Sequence, residues 1–432
     1  MRSRVLCSVL LGVTTVLSVV TPAAAEGSEV DYREWRAGDF RRGHFEGTAP
    51  WLGGLVLARP AGRVEHEAKT YDYARWTSPV HRVGFAATQA VASWNARTPA
   101  GTWLQVEFRG ADTGWYVMGR WASGDGDIKR ATVSGQSDEH GYVDVDTYVA
   151  RRPLRGYQLR VTLYRQVGSH ATPSVSMVGA MASAVPDRFT VPASSPGPAR
   201  GVELPVPRYS QNVHAGQYPE YDNGGEAWCS PTSTEMVVEY WRRGPTPQDL
   251  AWVKPGYPDP SVAHAARHTY DYDYQGAGNW PFNTAYAATF GLRAHVTRLR
   301  SLTELERYIA RGIPVITSQS FREDELDGAG YGTAGHIMVV VGFTESGDVI
   351  ANDPASPSNE AVRRVYKRAQ FETVWLRTQR HLADGTVGGG SGGIAYIIAP
   401  PARPVGQVST GGDSSLSRSP HRRPSASVAR DR

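Results

Sequence analysis

Cysteine is scarce in this sequence, which has two, Cys7 and Cys229, among 432 residues. Cys7 lies in an apolar N-terminal run that we expect to be removed, so the mature chain would keep a single thiol. An internal disulfide framework is therefore excluded. Because a lone thiol in an exported protein is open to oxidation, Cys229 is either a small buried residue or a functional one.

An excess of one charge is lacking as well, and so is any second long hydrophobic run after Val20. Lys and Arg number 46 against 42 Asp and Glu, and the scattered basic residues argue against nucleic-acid binding. The long apolar run from Val5 to Val20 follows Arg2 and Arg4 and ends near Ala23-Ala24-Ala25. This layout predicts a secretory signal peptide over residues 1–25 and an extracellular protein without a membrane anchor.

The rest of the chain changes character along its length. We expect residues 26–48 to form a polar lead-in and residues 49–185 an all-β sandwich or jelly roll, since apolar and polar residues alternate in short stretches. Helical and strand patterns mix over residues 202–400, which predicts an α+β domain. Composition indicates a linker over residues 186–201 and a disordered tail over residues 401–432.

The surroundings of Cys229 point to chemistry. The residues after it have helical periodicity, and Ser230 followed by Pro231 fits a helix start. A capping box of Thr232 and Glu235 fits a start slightly later. Either start puts Cys229 at or just before a helix N-terminus, where the helix dipole favours a thiolate. We therefore predict that Cys229 is a nucleophile.

A nucleophilic thiol needs a base and a group that orients the base. His336 precedes a strongly apolar strand pattern, and the return strand of the predicted hairpin ends at Asn352-Asp353. A tight hairpin would hold one of these two side chains beside the imidazole and fix its tautomer. Neighbouring side chains on a strand point to opposite faces, so only one of the two residues can face the imidazole. We favour Asp353, and Asn352 is the alternative.

A cysteine at a helix start, a histidine at a strand start and then Asn or Asp resembles the order in papain-like cysteine peptidases. The chain is similar to the bacteriocin-processing, C39-like branch and its secreted stand-alone relatives, which have a Gln-containing strand before the cysteine. The segment Val206–Gln211 matches that strand, so the resemblance implies Gln211 and the Cys229 backbone N–H as oxyanion donors. It covers roughly residues 202–400 and implies a papain-like fold with Cys229, His336 and Asp353 as its triad.

Two departures from that branch stand out. Ser230 replaces the glycine that usually follows the cysteine, and an insertion within residues 212–228 widens the separation between glutamine and nucleophile. Gln217 is therefore the alternative oxyanion donor.

Weaker signals lie elsewhere. His264 and His268 are one helical turn apart, but the glutamate of a zinc-peptidase motif is absent, so a packing or solvated role is favoured. The segment Asp271–Tyr274 fits a polar loop, which could border the cleft together with Trp280. Several tryptophans of the β domain form either its core or a carbohydrate platform. They are Trp94, Trp103, Trp115 and Trp121.

The sequence thus predicts a secreted cysteine peptidase or amidase that hydrolyses peptide bonds through an acyl-enzyme. Its expected substrate is peptide or cell-wall-derived material. A catalytically silent peptide- or glycan-binding protein is the alternative from another class, and an acyltransferase would use the same thioester. We expect no cofactor, no metal, no nucleic acid and, after removal of the signal peptide, no membrane contact.

Overall fold

A computed structural model describes residues 27–401, of which those as far as Pro400 belong to one compact unit. The predicted signal peptide, Cys7 included, and the predicted tail beyond Pro401 lie outside the described residues. Within this range, no helix is both long and apolar enough to cross a membrane.

The N-terminal part of the described chain is all β, as its alternating pattern predicted. Twelve strands join in one antiparallel sheet. They are β1 (Glu29–Arg36), β2 (His44–Glu46), β3 (Thr48–Trp51), β4 (Gly54–Leu57), β5 (Gly62–His66), β6 (Lys69–Thr77), β7 (His81–Arg97), β8 (Thr102–Gly110), β9 (Tyr116–Trp121), β10 (Gly141–Asp144), β11 (Thr147–Gln166) and β12 (Ser174–Ala184).

The long strands β7 and β11 connect the sheet. The first part of β11 pairs with β7 and β10, whereas its second part pairs with β6 and β8. The register of β11 against β7 shifts between Val149 and Gly156, where β11 changes pairing partners. Such irregularities commonly bend a strand. The strands therefore form one continuous, branched sheet, and the two separate sheets expected of a sandwich are not seen among residues 27–185.

The predicted lead-in over residues 26–48 is part of this sheet, so that expectation is wrong. Strand β1 pairs with β12 along its whole length, from Glu29 opposite Ala184 to Arg36 opposite Met177. Main-chain pairing does not depend on side-chain polarity, and Trp35 is buried in the core despite its charged neighbours.

The C-terminal part is α+β, as expected. Its helices are α1 (Cys229–Tyr240), α2 (Pro260–Thr269), α3 (Trp280–Thr289), α4 (Leu302–Ile309) and α5 (Arg368–Leu376). Its strands are β13 (Arg293–Arg298), β14 (Val315–Phe321), β15 (Thr333–Phe343), β16 (Val349–Asn352), β17 (Arg363–Tyr366), β18 (Gln379–His381), β19 (Val387–Gly389) and β20 (Ile394–Ala399). Six of these strands form an antiparallel sheet in the order β13-β20-β14-β15-β16-β17.

The predicted linker over residues 186–201 contains no helix or strand, yet it is bonded to the α+β part. The N–H groups of Gly197 and Ala199 donate to the Glu306 carboxylate over 2.8 and 3.0 Å. The N–H of Ser194 donates to Glu372 over 2.7 Å. The segment therefore lies along the α+β part as an ordered strap.

Tryptophans of the β sheet form the junction between the two parts. Trp94 and Trp121 pack edge-on or tilted against Phe282 of α3, with ring centroids 6.0 and 5.4 Å away. Trp103 is also buried, and half-buried Trp115 lies between two guanidinium groups. For the three buried tryptophans the packing interpretation is right, and a carbohydrate platform is excluded.

Candidate active site

Cys229 is the first residue of α1, and its thiol is partly exposed. The helix begins earlier than either predicted capping arrangement, because Trp228 takes the cap position. The Ser230 hydroxyl instead bonds the Tyr396 hydroxyl over 3.0 Å, and Glu235 is fully buried within the helix interface. The Cys229 sulfur therefore lies at the N-terminus of α1.

His336 and Asp353 are brought together by the hairpin of β15 and β16. In that hairpin Val339 lies opposite Asn352, so Asp353 follows directly beside the start of β15. The His336 Nε2 lies 2.8 Å from an Asp353 carboxylate oxygen. Both side chains are buried, with 5% and 1% of their surface exposed. This contact leaves the ring Nδ1 for another partner.

The Asp353 carboxylate is fully supplied with donors. The Tyr366 hydroxyl donates to it over 2.6 Å, the Tyr331 hydroxyl over 3.0 Å and the Ala355 N–H over 3.0 Å. Burial by itself raises the pKa of Asp353, but the charge of His336 and these hydrogen bonds outweigh burial and lower it. No periodic pattern pointed to the two tyrosines, which reach the carboxylate from a loop and from β17.

The environment of His336 favours its protonated form. Burial alone lowers its pKa, but the charge and hydrogen bond of Asp353, together with the hydrogen bond and charge of Cys229, raise the pKa of His336 to about 10. Cys229 and His336 line the same cleft. An imidazolium that persists across neutral pH is the partner that a catalytic thiolate requires.

Asn352, the competing orienter, faces away from the imidazole. Its side-chain amide donates to the Pro207 carbonyl over 3.0 Å and to the Val206 carbonyl over 3.4 Å. It therefore fixes the segment that leads to Gln211 and does not contact His336.

The two candidate glutamines differ in their surroundings. Gln211 is buried at the edge of the cleft that contains Cys229. Its N–H donates to the Pro354 carbonyl over 2.9 Å, and its Nε2 donates to the Glu226 carbonyl over 2.5 Å. Gln217 instead bonds the His214 ring over 3.0 Å and does not line the cleft. Gln211 is therefore the better placed candidate.

The cleft between α1 and β15 has a volume of about 770 Å³. Cys229 and His336 lie on its floor, and Tyr274 and Trp280 form part of its wall, as the sequence suggested. Charged side chains also line it, namely Asp222, Glu226 and Arg364. No pattern in the sequence indicated that these three residues would line one cleft.

The β sheet region supports the wall that carries Tyr274 and Trp280. The buried Asp271 carboxylate accepts from the N–H and hydroxyl of Thr132 over 3.0 and 2.9 Å. Asp146, at the start of β11, accepts from the N–H of Trp280 over 2.8 Å. The predicted polar loop is thus anchored by N-terminal residues, an arrangement that no pattern in the sequence indicated.

His264 and His268 pack against each other on α2, with ring centroids 3.9 Å apart. His264 also bonds the Tyr286 hydroxyl over 3.0 Å. Within residues 27–401, no group of three or more His, Cys, Asp or Glu side chains is arranged to hold a metal ion.

The fold and the site together define a cysteine peptidase-like α+β region attached to a β region. Residues 31–183 match the family described as Peptidase C39 N-terminal domain, and residues 203–382 match the Peptidase_C39 like family. With both regions matched in this order, the chain belongs to the C39-like branch of the papain-like cysteine peptidases. This confirms the resemblance to that branch.

No curated protein matches the chain. Among solved structures, a beta-1,3-glucanase from Mycobacterium marinum matches at 14% sequence identity, covering 37% of this chain and 92% of that chain, with a TM-score of 0.17. A TM-score this low supports no conclusion about fold or substrate.

Proposed function

We propose that this protein is a secreted papain-like cysteine peptidase that hydrolyses peptide bonds through a triad of Cys229, His336 and Asp353. The observation that carries the proposal is the buried imidazole, which lies 2.8 Å from a carboxylate and lines the same cleft as the thiol. Membership of the C39-like branch supports the same reaction class.

In the first step, the Cys229 thiolate attacks the carbonyl carbon of the scissile peptide bond. The carbonyl oxygen becomes an oxyanion, which the Cys229 N–H and the Gln211 side-chain amide would stabilise. An amide nitrogen carries two hydrogens, so the bond from Gln211 to the Glu226 carbonyl leaves one for the oxyanion. One such donor contributes about 3 kcal/mol to transition-state stability.

In the second step, the His336 imidazolium gives its proton to the leaving amine while the carbon–nitrogen bond breaks. The acyl group remains on the sulfur as a thioester. The now neutral imidazole takes a proton from water, the hydroxide attacks the thioester, and the carboxylic acid leaves as the thiolate and the imidazolium are restored. Asp353 holds the ring and stabilises its charge throughout.

The substrate and the compartment rest on the sequence. The cleft is open to solvent and lined by both polar and aromatic side chains, which suits a peptide or the peptide part of cell-wall material. Secretion depends on the predicted signal over residues 1–25. N-terminal sequencing of protein recovered from the medium tests it, and a chain still beginning at Met1 would contradict it.

Substitution of Cys229 tests the reaction. Cys229→Ala should abolish cleavage of a mixed peptide library, followed by mass spectrometry, while the circular dichroism spectrum and the unfolding midpoint stay unchanged. Ser137→Ala, at an exposed position of the β region, is a control that should keep activity. Undiminished cleavage by Cys229→Ala would refute the proposed nucleophile.

Thiol labelling separates an enzyme from a silent binding protein. Because His336 supplies an imidazolium, iodoacetamide should alkylate Cys229 rapidly even near pH 5, and His336→Ala should remove this acid reactivity. Slow labelling of the unaltered protein, with no effect of His336→Ala, would favour the binding protein.

A further inference from the structure

The two sides of the catalytic cleft carry opposite charge. Arg364 of β17 lines the side formed by the sheet, and Asp222 and Glu226 line the side that precedes α1. A substrate that enters this cleft therefore meets a cation on one side and carboxylates on the other.

Arg364 lies on the strand that supplies a donor to the carboxylate of the proposed triad. It shares one face of β17 with Tyr366, because alternate residues of a strand point the same way. The Tyr366 hydroxyl donates to Asp353 over 2.6 Å, and the charge of Arg364 acts on that hydroxyl. The neighbouring Arg363 points to the opposite face, where its guanidinium forms two 2.8 Å bonds with Glu203.

The guanidinium of Arg364 has few partners of its own. Its Nε is buried and has no hydrogen-bond acceptor within residues 27–401, and its Nη1 makes only a 3.5 Å contact to the Gly328 carbonyl. In the same part of the chain, no carboxylate forms an ion pair with it, whereas Arg363 has one. A guanidinium offers five donors, and leaving a buried donor unpaired is costly. Its terminal Nη groups are therefore available to an incoming acceptor.

The opposite side of the cleft determines where an anion would bind. The exposed Glu226 carboxylate forms no ion pair among the described residues, and Asp222 accepts one bond, from the Ala277 N–H over 2.9 Å. These charges repel a substrate anion and direct it toward Arg364. A guanidinium binds a carboxylate through two parallel hydrogen bonds, a geometry that a lysine does not reproduce.

We propose that Arg364 is a specificity-determining residue that selects peptides presenting a carboxylate to the cleft. The carboxylate comes from an acidic side chain near the scissile bond or from the C-terminus of the peptide. This inference rests on the proposed peptidase function, because it assigns the substrate class of the same cleft.

Matched peptides test the selection and distinguish the two sources of the carboxylate. One pair differs by Glu against Gln near the scissile bond, and the other by a free against an amidated C-terminus. The unaltered protein should cleave the carboxylate-bearing member of at least one pair about tenfold better in kcat/KM, chiefly through KM. Arg364→Gln should abolish the difference and Arg364→Lys should restore it only in part. Arg363→Gln, with the same change on the opposite face, should retain it.

Binding to the inactive Cys229→Ala variant keeps this inference separate from the proposed function. Fluorescence anisotropy with the same peptides should show tighter binding of the carboxylate-bearing members, lost in the Cys229→Ala/Arg364→Gln double variant. If the unaltered protein cleaves no peptide but this binding difference is found, the peptidase proposal fails and the selection by Arg364 stands. Cleavage or binding without charge preference in either pair, or a preference that survives Arg364→Gln, would overturn the inference.

Discussion

Asp353→Asn removes the charge that holds His336 in its protonated form while keeping the size of the side chain. The pKa of His336 is about 10 against an ordinary 6.5, a difference equivalent to about 5 kcal/mol in favour of the imidazolium. Asp353 supplies the largest effects that raise this pKa, ahead of Cys229. If at least half of this free energy comes from Asp353, about 2.5 kcal/mol is lost, which moves the alkaline limb of kcat/KM toward acid by about 2 pH units.

The direction of the pKa change determines which limb of the pH profile moves. Losing the carboxylate charge lowers the pKa of His336, so the imidazolium disappears at lower pH and the alkaline limb of kcat/KM moves toward acid. The assay is cleavage of one fluorogenic peptide from pH 5 to 10.5. Asp384→Asn makes the same chemical change at an exposed turn, where the carboxylate only bonds Thr386, and should leave the profile unaltered. An Asp353→Asn variant with an unmoved alkaline limb and near-normal activity would refute the reasoning.

Further predictions concern other parts of the molecule. Gln211→Ala should lower kcat by about 10²-fold or more, whereas Gln217→Ala should not, and equal effects in a peptide-cleavage assay would contradict the assignment. Burial raises the pKa of Asp146 to about 7. Folding is therefore weakened as the pH rises from about 4 through 7, so Asp146→Asn should raise the urea midpoint at pH 8 more than at pH 4. Phe282→Ala should lower the free energy of unfolding by about 3–5 kcal/mol, because it leaves a cavity beside Trp94 and Trp121. Urea titration measures this loss. A smaller loss would show that the two parts do not share a core.

Local patterns predicted the elements that carry the proposed catalytic groups. The periodicity after Cys229 gave α1, and the apolar run after His336 gave β15. The hairpin argument put Asp353 near the imidazole, and the two groups lie 2.8 Å apart. These predictions worked because each depends on residues close in sequence, where periodicity and turn geometry determine the arrangement.

Contacts between distant parts of the chain were beyond such patterns. Tyr331 and Tyr366 reach Asp353 from separate segments whose spacing carries no signal. Strand β1 was not predicted because its charged residues do not show the alternating apolar pattern of a strand. Its stability comes from main-chain pairing with β12, which is distant in sequence. No sequence pattern predicted helix α5 either. Its residue Glu372 accepts a hydrogen bond from the N–H of Ser194 in the predicted linker.

The N-terminal sheet is part of the construction of the cleft. Asp271 is buried and takes its hydrogen bonds from Thr132 and from Asn279, which caps α3 through its own side chain. The main-chain positions that carry Tyr274 and Trp280 are thus fixed by acceptors and donors from both parts of the chain. Without the sheet, Asp271 would lose the Thr132 donors, and Phe282 would lose its aromatic neighbours. A buried carboxylate that loses two of its donors is destabilised, so the cleft wall depends on its contacts with the N-terminal part.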